Sequence, residues 1–191
     1  MSTPCKQLLG LIHDIPPSAT LIRNILRKST LGEEPFDTIV HADLHFTEVI
    51  MTHFPRNPLL QRSLERTAAT FTTVSIINNL FLSNNDVIDL SWFEKEVQTT
   101  GSTKWDGVVF AIKNKRVTPV LIEFSGDNRI HFEAIILLGN GVFIKRNLFV
   151  VTCPTSPDEL KDFGEMIPSM LAWKKAVVEQ TKKLSKSLGN C

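Results

Sequence analysis

The stretch KWDGVVFAIKNKRVTPVLIEFSG, Lys104 to Gly126, holds two runs rich in β-branched and aromatic residues around a tight polar connection, Asn114 to Arg116. Such a pattern predicts two strands joined as a hairpin. In an antiparallel pair the start of one strand faces the end of its partner, so Asp106 should lie near Glu123. Strand alternation puts Glu123 and Ser125 on one face and Phe124 on the other. Two carboxylates meeting at a sheet edge form a hard-oxygen site that suits Mg²⁺ or Mn²⁺ rather than zinc. A cation held there would stabilise charge building on a phosphate and sharpen a bound water as nucleophile.

Outward from this hairpin, VIDLSWFEKEVQ from Val87 reads as a further strand, with a helix over Trp92 to Gln98 as the alternative. A second hairpin follows, HFEAIILL from His131 and VFIKRNLFVV from Val142, joined at Gly139-Asn140-Gly141. Upstream, Asn57 caps and Pro58 opens a helix whose stripe runs Leu60, Leu64, Ala68, Phe71 and Ser75, ending near Leu82. Glu65 rides on that helix and is a candidate third carboxylate. Downstream, Ser156, Pro157 and Glu159 form a helix start, and the helical period continues through Leu184 with a kink or break expected at Pro168. The long helix should dock its apolar stripe on the sheet. Residues 1–57, broken by Pro16, Pro17, Pro35 and Pro55, read as an irregular N-terminal extension with one short helix around Leu21 to Lys28. The expected fold is therefore α+β: a helix, a mainly antiparallel sheet of about five strands and a long C-terminal helix, within residues 58–191.

A chain of 191 residues suits one domain with a real core. Its apolar fraction of 42 % and charged fraction of 21 % are ordinary for a globular protein. A formal net charge of +1 excludes a strongly basic coat for non-specific nucleic-acid binding. Cys5, Cys153 and Cys191 are too few and too far apart for a disulfide framework or a zinc knuckle, which suits a reducing interior. No apolar run reaches the ~18 residues of a membrane span, and the first residues lack the uninterrupted run of a signal peptide. The expectation is an intracellular protein, cytoplasmic or nuclear, without a membrane partner.

The order of a helix bearing Glu65, a strand, a strand with Asp106 and a strand ending in Glu123 resembles the PD-(D/E)XK nuclease-like superfamily. WFEKE, TKWDGVVFAI and VLIEFSG, within Leu64 to Gly126, resemble the nuclease-like domain of fungal crinkler-type proteins. The resemblance covers about a third of the chain. It implies a restriction-endonuclease-like core and metal-dependent phosphodiester hydrolysis of DNA or RNA. Asp106 and Glu123 would then be metal ligands, the carbonyl of Phe124 a further one, and Glu65 an accessory carboxylate. Two features depart from the pattern. Ser125 stands where the family places a lysine, and Lys104, on the same strand face as Asp106, is the candidate substitute. Only GDNRI separates Ser125 from His131, too short for the crossover helix of that family. An antiparallel hairpin or a shortened form follows. The alternative reading is a non-catalytic nucleic-acid- or protein-binding module on a degenerate nuclease scaffold.

Other patterns compete. His41-x-Asp43-x-His45, with His53 nearby, would gather three N/O ligands on one face if that segment were a strand, but surface or capping histidines are the better account of it. Trp92, Trp105, Trp173 and the twelve phenylalanines read as core rather than base-stacking platforms. The clusters Lys113-Lys115-Arg116, Lys145-Arg146 and Lys182-Lys183-Lys186 read as solvated faces that together could line a nucleic-acid backbone. No phosphate-binding Gly-rich loop, Cys-His dyad or serine nucleophile elbow is present.

Overall fold

Four short helical pieces and four longer helices frame five strands among the residues described here, which are 1–28, 42–53, 65–96, 104–115, 117–124, 129–139, 142–156 and 158–187 of a computed structural model. Helices α1 (Thr3–His13), α2 (Ala19–Lys28) and α3 (Ala42–His53) come first. Next come α4 (Glu65–Ala69), a π-helical turn (Thr70–Val74), α5 (Ser75–Phe81) and a 3₁₀ turn (Leu82–Asn84). Strands β1 (Ile88–Glu96), β2 (Lys104–Ala111) and β3 (Val120–Ile122) precede β4 (Arg129–Gly139) and β5 (Val142–Thr152), and α6 (Glu159–Ser187) closes the described chain. The fold is α+β, and every strand pairing is antiparallel.

The five expected strands form two sheets instead of one. The first has the order β1-β2-β3, and the second is the β4-β5 hairpin. β4 leaves β3 without pairing to it, so the short connection makes neither the hairpin nor the crossover considered from sequence. In the first sheet Gly107 faces Ile122 and Val108 faces Leu121. The central Val108 and Val109 are both fully buried, so β2 is covered on both faces.

The described parts of residues 1–57 are mostly helical. The short helix expected near Leu21 is there as α2, but α1 and α3 flank it. Cys5, Leu8, Ile12, Ile22, Leu44, Phe46, Ile50 and Met51 enter the same apolar cluster as Ile88, Val109, Phe132 and Ile167. Pro4 opens a helix rather than breaking one: it sits in the first turn of α1, where its absent N–H costs nothing, and Ser2 caps that turn through the Cys5 N–H at 3.3 Å. The Asn57-Pro58 start lies outside the described residues.

The long helix also differs in detail. α6 runs through Pro168 without a break. Pro168 lies on the exposed side, so it removes a single backbone donor while Phe163, Ile167 and Met170 hold the opposite face by burial. Its partners are α1, α3 and α5 as well as β2 and β5, so it closes a helical layer and does not simply lie across a sheet. Trp173 packs edge-on against Phe81 and Phe132 at 5.7 and 4.9 Å, which bears out the core reading for that residue.

Candidate functional site

The β2–β3 pairing carries the site. Continuing its register one step past Gly107 and Ile122 sets Asp106 opposite Glu123. The Phe124 N–H donates to Asp106 Oδ2 at 2.8 Å, which fixes that carboxylate over the end of β3. Partial burial raises the Glu123 pKa, and the Asp106 charge and a hydrogen bond with the Asp106 carboxyl raise it further. Like charges that meet at a sheet edge disfavour each other's ionised form. The structure therefore brings Asp106 and Glu123 together as the strand pairing predicts.

The opposite face of the same strands is aromatic. Gly107 leaves room for Trp92: a β-carbon there would meet two atoms of the indole ring at 2.6 Å and Ile122 Cδ1 at 3.2 Å. The Trp92 indole N–H donates to Asn78 Oδ1 at 2.9 Å, tying the sheet to α5. Phe124 stacks on Trp92 with centroids 6.3 Å apart and meets Phe93 edge-on at 6.1 Å. Phe93 and Glu94 occupy the left-handed region, at φ 63° and 51°, where β1 bulges against β2 between Trp92 and Lys95. Two such residues in a row store local strain, which the aromatic contacts around Phe124 help to hold. The bulge was not legible in WFEKE, because neither glycine nor asparagine marks it.

Lys104 Nζ lies 3.8 Å from Glu94 Oε2, with both side chains more than half exposed, so its ammonium is turned to the bulge. Phe124 meets Asp106 through its N–H, a contact that does not involve its carbonyl, the atom expected as a ligand. Glu65 is the first residue of α4, and its side chain, like Ser125, lies outside the described residues. Among the described residues no three His, Cys, Asp or Glu side chains group as a metal site.

The described part of the histidine constellation is a helix and not the strand it required. Residues 42–53 are helical, so Asp43 and His45, two apart, project about 200° from one another instead of sharing a face. His41 lies outside the described residues. Asp43 accepts from the Ser2 amide and from Ser2 Oγ at 2.8 Å, and His53 Nε2 lies 2.7 Å from the Phe71 carbonyl oxygen in the π turn. That π turn inserts an extra residue into the helical phase. It moves Phe71 from the expected buried stripe to an exposed position, while Thr72, Ile76, Ile77 and Leu80 are buried. The basic clusters are partly tied down: Lys115 pairs with Asp89, and Lys145 pairs with Glu133 at 2.6 Å.

No helix among the described residues is long and apolar enough to cross a membrane. Comparison of the chain with protein-family models, with curated proteins and with solved structures finds no match.

Proposed function

We propose that the chain is a PD-(D/E)XK nuclease-like protein that binds Mg²⁺ or Mn²⁺ at Asp106 and Glu123 and hydrolyses phosphodiester bonds in DNA or RNA. The observation that supports this reading is the apposition of the two carboxyls, with Glu123 held toward its protonated form by burial and by Asp106. A hard cation suits that donor set, because Mg²⁺ keeps several waters and is commonly held by only one or two carboxylates. When bound, such an ion supplies Lewis acidity and an acidified water. The chain's own residues prepare the site. Phe124 orients Asp106 through its amide, and the aromatic packing of Phe124 on Trp92 fixes the end of β3 beneath Glu123.

A cation bound between the two carboxylates would relieve their mutual repulsion, so the charge that raises the Glu123 pKa becomes attraction for the ion. Cleavage of a labelled single- or double-stranded oligonucleotide with Mn²⁺, and its loss with chelator and in Glu123→Gln, is the expected result. Cleavage by Glu123→Gln at the wild-type rate would contradict the assignment.

A second reading is favoured by Lys104. Its contact with Glu94 leaves no described cation beside the carboxylate pair to offset phosphate charge. On that reading the chain is a non-catalytic nucleic-acid- or protein-binding module on a degenerate nuclease scaffold. Nucleic-acid binding that ignores chelator and weakens steeply with salt would select it.

A further inference from the structure

A second site lies away from the carboxylate pair, where α6, the 3₁₀ turn and the start of α3 enclose a cleft of about 430 Å³. Its floor holds Lys174, half-buried, whose Nζ donates to Ser83 Oγ at 2.8 Å. No carboxylate oxygen among the described residues comes within 4.0 Å of that ammonium. A partly buried cation whose acceptor is a neutral hydroxyl has lost water without gaining a counter-charge in direct contact. Burial accordingly lowers the Lys174 pKa, against the longer-range pull of Asp43.

The acidic groups lining the cleft are already engaged. Asp43 accepts from the Ser2 amide, from Ser2 Oγ and from the Leu44 amide. Glu179 lies 3.9 Å from Lys175 on its own helix. Lys182 stands two helical turns beyond Lys174 on the same stripe of α6 and also lines the cleft, with no ion pair among the described residues. Three lysines and the Ser83 hydroxyl thus line one volume, and its two carboxylates have Ser2 and Lys175 as partners, which leaves Lys174 and Lys182 without a carboxylate partner among the described residues.

We propose that this cleft binds a small phosphate monoester, with Lys174 and Lys182 as its cationic contacts and Ser83 as a hydroxyl contact. A phosphate group brings close to two negative charges and three acceptor oxygens, which matches that donor set better than a single carboxylate. The room is that of a small-molecule pocket, so the rest of the ester fits beside the phosphate. The site is independent of the nuclease reading, since it shares no residue with Asp106 or Glu123.

Thermal melts of the full chain test the proposal, with inorganic phosphate, methyl phosphate, or sodium chloride at matched ionic strength. Both phosphates should raise the midpoint by about 2 °C or more over chloride, because a ligand of the folded state alone stabilises it. Lys174→Met should weaken phosphate binding at least tenfold. Lys182→Gln, at an exposed position that leaves the core intact, should weaken it at least threefold, so the test holds even where Lys174→Met does not fold. Glu123→Gln should retain the full response. A midpoint that follows ionic strength alone, a response to inorganic but not methyl phosphate, or an undiminished response in Lys182→Gln would each overturn the proposal.

Discussion

Glu123 and Gly107 show how single residues set the site. Glu123 has a raised folded pKa, so its favourable contribution is fully present below the ordinary glutamate pKa and is lost as pH rises through the folded value. At neutral pH the ionised pair is therefore a small liability. Glu123→Gln should leave stability unchanged or raise it by under about 1 kcal/mol at pH 7, because the position is exposed. That gain should shrink toward zero as pH falls through the folded pKa, which paired urea titrations of both proteins would reveal. A gain that grew on acidification would have the wrong sign. Gly107 is constrained by space: a β-carbon there would lie 2.6 Å from the Trp92 ring, which is held by Asn78 and by Phe124. Gly107→Ala should cost about 1–3 kcal/mol through overpacking. Urea denaturation measures it, and a neutral result would mean that Trp92 moves freely.

At the scale of elements, α6 owes its start to a carboxylate reaching back. Glu159 Oε2 accepts from the Thr155 N–H at 2.5 Å and from Thr155 Oγ1 at 2.9 Å, and these bonds hold its pKa below the usual range. The stabilisation is present above the ordinary glutamate pKa and is lost as pH falls through the lowered folded value. Glu159→Gln should cost about 0.5–1 kcal/mol at pH 7 and nothing below the folded pKa, as read from the pH dependence of the midpoint. The capping glutamate was legible in SPDE, yet its main partner is Thr155 and not Ser156, since sequence marks a helix start only to within a residue or two. The β2–β3 and β4–β5 pairings were legible because strand alternation and turn chemistry are local signals. Two features were hidden. The π turn at Thr70–Val74 and the bulge at Phe93–Glu94 each alter the residue count of an element, and no glycine or proline announces either one.

Across the whole molecule, α1 and α3 share a core with the later elements, which their sequence pattern does not announce. The amphipathic pattern of α1 and α3 is short and crossed by His13, Asp43 and His45, so periodicity alone underrates it. Burial does not: Phe46, Ile50 and Met51 are fully inaccessible within the shared core. The same helical layer builds the cleft beside Lys174, which no local motif foretold, because Ser83, Asp43 and Lys174 meet only after α6 folds back. The carboxylate pair, by contrast, needs just two neighbouring strands, and that is why it could be read from Lys104 to Gly126. What it binds is the account's central claim. A thermal melt with and without Mn²⁺, on wild type and Glu123→Gln, tests it most directly. The account predicts a midpoint raised by Mn²⁺ in the wild type and unmoved in the variant, since the ion binds only the folded pair. A cooperative melt with no Mn²⁺ shift, or one equal in both proteins, would contradict the metal site and the hydrolytic reading built on it.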